Sequence, residues 1–160
     1  MPRSSDLIGL PVLTMPRMKR IGRVQEVLVS RDGARLCGLV LETGGLLHPR
    51  RVLDFRAIKA VSSTHLLAEE IYLEDESQAC CGETLHGMPV LDSDGEELGS
   101  MDDLHFDPST GRVVALQLSR GFVDDLLGGK GIVAVSGPMI TGEAAIILDA
   151  PGDAEGGMQR

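Results

Sequence analysis

Asp92, Asp94, Glu96 and Glu97 crowd carboxylates into the stretch "LDSDGEELG". Acidic side chains at alternate positions are the chemistry of a calcium loop, but such a loop spreads its ligands over about twelve residues and closes on a glutamate. Here the Asp-x-Asp-Gly run gives way at once to an alternating pattern, so it reads as a surface β-turn. Cys80, Cys81 and His86 are the other metal-capable group. Adjacent cysteines lack the spacing of zinc ligand pairs, and no second pair follows. They read as free thiols on a connector. His48, His65, His86 and His105 are scattered, with no Ser or Cys nucleophile in an evident arrangement. The "GGKG" at Gly128 to Gly131 lacks the upstream glycine and trailing Ser/Thr of a phosphate loop. These residues assign no catalytic, cofactor or metal site.

Charge is more informative. Residues 1–68 hold 11 Lys/Arg and 5 Asp/Glu, a net of +6; residues 69–160 hold 4 and 19, a net of −15, which together give the chain's −9. Such a split is compatible with plain solubility. It also suits a protein that offers two different surfaces to partners, or that pairs with another copy of itself. Aromatic residues are only 2% of the chain, with no Trp. That scarcity counts against binding single-stranded nucleic acid, which needs stacking platforms. No apolar run approaches the roughly 18 residues that span a bilayer. The opening "MPRSSDLIGLPV" lacks the apolar stretch of a secretory signal. The expectation is a cytoplasmic chain without membrane insertion.

The elements that carry these charges are duplicated. "LIGLPVL" at Leu7 to Leu13 matches "LHGMPVL" at Leu85 to Leu91, with Gly9 mapping to Gly87, an offset of 78 (87 − 9). Gly22 maps to Gly99 and Arg35 to Arg112, an offset of 77 (99 − 22). One residue lost in the loop between the first two strands accounts for the change. An ordered series of matches over about 35 residues is an internal duplication. Apolar residues alternate with period two in the long runs, the mark of strands with one buried face. A slip at Val24 and Gln25 predicts a β-bulge. "SRDGAR" and "DPSTGR" supply the Asp, Ser and Gly of hairpin turns. The fold class is therefore all-β: two tandem small barrels with short helical turns. The first, basic, covers residues 1–68; an acidic connector covers 69–84, with Ile71 to Leu73 able to extend the preceding strand; the second, acidic, barrel covers 85–149; and a disordered tail covers 150–160.

With these motifs in view the chain resembles the PRC-barrel family. The resemblance rests on Gly9-Leu10-Pro11-Val12, Ile21 to Val29, Cys37 to Gly45, His48 to Ile58 and Leu66 onward. It recurs at Gly87 to Leu91, Leu98 to Phe106 and Val113 to Gly121. It implies small barrels of about six strands. It also implies roles mostly in binding and assembly, since the family includes the cytoplasmic part of the photosynthetic reaction-centre H subunit and a ribosome-maturation factor. The transmembrane helix of the first and the separate N-terminal domain of the second have no counterpart here, so neither role is carried over.

The expected function is a non-enzymatic cytoplasmic adaptor that binds protein partners and self-associates. An RNA-processing or ribosome-associated factor using the basic barrel is the alternative, and an enzyme of unknown type comes third. The candidate interaction surface is basic: Arg17, Lys19, Arg20, Arg23, Arg50, Arg51, Arg56 and Lys59. A second candidate lies in "GFVDDLLGGKG", where Phe122 and Leu126 are four apart, as are Val123 and Leu127. One helical turn would gather Phe122, Leu126 and Leu127 into an apolar face.

Overall fold

The computed structural model describes residues 2–44, 51–77, 79–119, 130–135 and 139–148. The first copy forms β1 (Pro11–Thr14), β2 (Lys19–Ser30), β3 (Leu36–Glu42), β4 (Arg51–Asp54), β5 (Ile58–Val61) and β6 (Leu66–Ala68), with burial alternating along β1 and β6 and buried runs in β3 and β4. After β7 (Ala79–Cys81) and a short helix, α1 (Gly82–Leu85), the pattern repeats. It gives β8 (Pro89–Leu91), β9 (Glu97–Phe106), β10 (Val113–Ser119), β11 (Lys130–Ala134), β12 (Met139–Thr141) and β13 (Ile146–Leu148). The first sheet has the strand order β4-β3-β2-β1-β6-β5 and the second β11-β10-β9-β8-β13-β12. In each, the strands at the two ends of the path are consecutive in the chain, which curls the sheet into a small barrel.

The copies match residue by residue. Val12 faces Gly22 and Val90 faces Gly99; Val24 faces Leu41 and Met101 faces Leu118. The β2–β3 pair and its counterpart β9–β10 each carry two bulges at equivalent places. Gln25 on β2 and Asp102 on β9 are skipped by their partner strands, as are Cys37 on β3 and Val114 on β10. The Gln25 bulge stands where the hydrophobic pattern slips. The hairpin turns use the expected chemistry. Asp32 accepts hydrogen bonds from the Ala34 N–H (3.0 Å) and Ser30 hydroxyl (2.7 Å), and Asp107 from the Ser109 N–H (2.9 Å) and hydroxyl (2.7 Å).

The barrels are docked on each other through reciprocal contacts. The Leu36 N–H donates to the Gly111 carbonyl and the Val113 N–H to the Ala34 carbonyl, both at 2.8 Å. These two bonds interchange under the 77-residue offset, and between them Arg35 faces Arg112 in an isolated bridge. The leading segments cross over in the same way. Residues 79–81, which precede the second barrel, pair with β2 of the first, with Cys81 opposite Leu28. Arg3, which precedes the first barrel, pairs with β9 of the second, opposite His105. Arg3 and Cys81 are 78 apart and Leu28 and His105 are 77 apart, so the pattern is a pseudo-two-fold exchange. Leu7 and Leu85, at the ends of the two leaders, are both buried in one core cluster that draws on both copies. Within it Phe55 and Phe106 meet edge to face, with ring centroids 5.9 Å apart.

The connector does not run free. Its acids Glu69, Glu70, Glu74 and Asp75 face solvent, but Ile71 to Leu73 do not extend β6. Instead the segment lies along β4. The Asp54 N–H donates to the Ile71 carbonyl (2.9 Å) and the Leu73 N–H to the Val52 carbonyl (2.7 Å). Leu73 and Ala79 then cover a small outer cluster of Leu28, Val40 and Val52. Apolar side chains interleaved among the acids supply the packing that the charge count concealed. The expected tail beyond residue 149 lies outside the described residues.

The corner after β4 depends on Asp54. Its buried carboxylate accepts the Arg56 N–H (2.9 Å) and pairs with the Arg56 guanidinium (2.8 Å), capping the turn Phe55–Ala57. The Arg56 hydrogen bond holds the Asp54 pKa below the ordinary carboxylate value. A lowered pKa means that this stabilisation is complete above about pH 4 and is lost as pH falls through the folded-state value. Asp54→Ala is expected to cost about 1–2 kcal/mol at pH 7, and the difference from the unaltered protein should shrink in thermal melts taken below pH 4. An equal difference at both pH values would contradict this reading.

Candidate functional site

The β1–β2 turn places Arg17, Lys19 and Arg20 in solvent, with half-exposed Met15 and Met18 among them. Arg23 is also exposed, its guanidinium donating to the Gly9 carbonyl at 2.7 Å. A hollow of about 390 Å³ opens between Arg20–Arg23 and Glu42–Gly44. Gly22 is among the residues that line it. A Cβ there would lie 3.0 Å from the Glu42 carbonyl oxygen, and φ is +158°, so the close approach of β2 and β3 requires glycine.

The other basic candidates do not join this cluster as free charges. Arg51 lies 3.9 Å from Glu70 and over the Tyr72 ring, 4.9 Å from its centroid. Lys59 pairs with Glu69 at 3.6 Å, and Arg56 with Asp54. The connector thus supplies the acids that answer Arg51 and Lys59. Arg50, Phe122, Leu126 and Leu127 lie outside the described residues, and with them the expected helical turn.

In the second copy the equivalent turn has the opposite sign. Lys19 corresponds to Glu96 (96 − 19 = 77) and Arg20 to Glu97 (97 − 20 = 77). The Asp92 carboxylate accepts the N–H groups of Asp94 (2.9 Å) and Glu96 (3.0 Å), so it is spent on the turn. Asp94, Glu96 and Glu97 face solvent. Among the described residues no three His, Cys, Asp or Glu side chains gather closely enough to hold a metal ion. Arg51, Arg56 and Lys59 make their ion pairs within residues 51–70, while Arg3, which lies against the second barrel, is attracted by Asp103 and Asp102. The barrels meet through apolar packing, backbone hydrogen bonds and side-chain bonds from Ser4, Ser5 and Thr141, while the charged residues of the two turns face solvent.

A cluster that sequence reasoning missed lies at the junction. Asp103 is 7% exposed. It accepts hydrogen bonds from the Ser4 hydroxyl (2.8 Å), the Ser5 N–H (3.2 Å), the Ser5 hydroxyl and the Leu104 N–H (2.8 Å). Beside it the bulge residue Asp102 lies 3.5 Å from His86 and accepts from Gln117, which in turn meets His105 at 3.1 Å. The adjoining pocket is about 210 Å³, below the roughly 300–1,000 Å³ of small-molecule sites. A carboxylate already filled by four donors is a clamp for the leader segment rather than a base. No local signal marks it, because its serines are some hundred residues away in the chain.

The profile of the PRC-barrel domain matches residues 2–71 and 82–154, the same duplication seen in the two sheets. The chain belongs to the PRC-barrel family. It is also similar to the uncharacterized protein YrrD of Bacillus subtilis (strain 168), at 29% identity over 136 residues that cover 78% of this chain and 74% of that protein. Both PRC barrels of the chain follow one topology, so what separates them is surface chemistry, and the two turns show it most plainly. Among the described residues no helix is long and apolar enough to cross a membrane.

Proposed function

We propose that this protein is a non-enzymatic cytoplasmic adaptor whose two PRC barrels bind protein partners and other copies of the chain through the oppositely charged β1–β2 and β8–β9 turns. The observation that carries this reading is the sign reversal at equivalent positions, Lys19 against Glu96 and Arg20 against Glu97, all four of them exposed. A basic turn of one molecule complements the acidic turn of the next. The two patches differ, so the contact is head-to-tail and can propagate. Exposed charge pairs contribute little in water; they orient the encounter, and Met15 and Met18 supply apolar contact.

Sedimentation velocity of the full chain across a salt series, before and after nuclease treatment, tests this. Assembly is expected at low salt and dissociation as the screening length falls below about 8 Å, with no effect of nuclease. A salt-insensitive monomer overturns the reading. Assembly that disappears with nuclease favours an RNA-associated role instead.

A further inference from the structure

The duplication lets one barrel serve as the reference for the other. In the first barrel the outer edge of β4 is covered: the Asp54 N–H and the Val52 carbonyl pair with Ile71 and Leu73, and Tyr72 bridges to Leu53. Register fixes the equivalent strand. Val40 faces Val52 and Gln117 faces Ile132; Gly38 faces Asp54 and Ala115 faces Ala134. The counterparts of the Asp54 N–H and the Val52 carbonyl are therefore the Ala134 N–H and the Ile132 carbonyl. Among the described residues β11 pairs only with β10, and its outer edge carries no strand. Where Val52 is 3% exposed beneath Leu73, Ile132 is 61% exposed. The residues that follow β13, numbers 149–153, read Asp-Ala-Pro-Gly-Asp in place of Glu-Glu-Ile-Tyr-Leu. They offer no large apolar side chain, and Pro151 has no N–H to donate.

We infer that the outer edge of β11, from Ile132 to Ala134, is a docking strand for an extended segment of a partner protein. The segment adds antiparallel to β11 by strand addition, where main-chain bonds give affinity and one side-chain contact gives selection. Its chemistry is that of residues 70–74: an apolar tripeptide flanked by acids. The carbonyl of its first apolar residue accepts the Ala134 N–H. The third donates its N–H to the Ile132 carbonyl and lays an aliphatic side chain on Ile132. Ala115 stands where the first barrel has Gly38, whose missing Cβ would lie 3.3 Å from Leu73, so the anchoring side chain sits slightly further out. Gln117 and His105, hydrogen-bonded to each other at 3.1 Å, replace Val40 and Leu28 and make the far wall polar. An open edge with an exposed isoleucine is otherwise an aggregation risk. The inference adds a second binding mode to the adaptor reading and does not use the charged turns, so either can fail alone.

The probe is the synthetic peptide Glu-Glu-Ile-Tyr-Leu-Glu-Asp, residues 69–75 of this chain, added to isotope-labelled full-length protein and followed by amide NMR. The expected result is a saturable shift of the Ala134 amide with slowed hydrogen exchange. Ile132→Glu, at a site exposed enough to leave folding intact, should weaken binding at least tenfold. A peptide with Asp in place of its leucine should not bind. The inference is overturned if the Ala134 amide shows no saturable shift, or if both substitutions leave the shift unchanged. It is also overturned if that amide is protected in the free protein, because the edge is then already covered. Protection that grows with protein concentration alone would assign the edge to a second copy and overturn it too.

Discussion

Phe106→Ala is expected to destabilise the whole molecule by about 3–5 kcal/mol, the cost of emptying a buried phenylalanine site. Phe106 is 0% exposed and its ring meets Phe55 of the other barrel at 87°. The side chain therefore belongs to both cores. The leaders strengthen the coupling: each barrel has an edge completed by residues that precede the other. Urea denaturation followed by far-ultraviolet circular dichroism should show one transition in the unaltered protein and one, at lower urea, in the variant. Two transitions, with one of them unmoved by the substitution, would mean that the barrels fold independently. The coupling also bears on fragments. Residues 1–68 alone lack β7, Leu85 and Phe106, so the excised first barrel is not a fair stand-in for the basic surface, and tests of that surface belong to the full chain.

The second large effect is a contrast between two glycines. Gly95 and Gly111 both adopt positive φ, +86° and +80°. Around Gly95 a Cβ would meet open space, so Gly95→Ala should cost only the left-handed backbone penalty of about 1–2 kcal/mol. At Gly111 a Cβ would stand 2.8 Å from the Phe55 ring and 3.1 Å from the Leu36 carbonyl oxygen. The Gly111 carbonyl itself accepts the Leu36 N–H across the junction. Gly111→Ala is therefore expected to cost about 1–3 kcal/mol beyond Gly95→Ala, the range for overpacking a tight interior. Thermal melts of the two variants side by side make the comparison. Equal losses would show that the hairpin tip is not packed against the first barrel.

Much of this architecture is legible in the residue order. Turn residues and period-two runs mark the hairpins, and a misplaced valine marks the bulge at Gln25. The ordered offsets of 77 and 78 expose the duplication. The opposed turns are legible too, since surface loops keep their charge wherever the barrels sit. What the order of residues does not disclose is which copy a segment packs against. The leaders ending in Leu7 and Leu85 look alike, and only the folded chain shows that each has crossed to the other barrel. The Asp103 clamp is hidden for the same reason: Ser4 and Ser5 come from the far end of the sequence. The connector misleads in a different way. Its acids suit water, yet Ile71, Tyr72 and Leu73 form an extended stretch that completes an edge.

The proposed assembly requires the two charged turns to be each other's complement between molecules. One variant carries Arg17→Glu, Lys19→Glu and Arg20→Glu; the other carries Asp94→Lys, Glu96→Lys and Glu97→Lys, leaving Asp92 to hold its turn. Each keeps one intact patch. Alone, at low salt, each should be monomeric in sedimentation velocity, because its remaining patch faces a copy of its own sign. Mixed in equal amounts they should assemble into species containing both variants, of twice the chain mass or more, that come apart in high salt. A mixture that stays monomeric where the unaltered chain assembles, or a single variant that assembles as the unaltered chain does, would contradict the account.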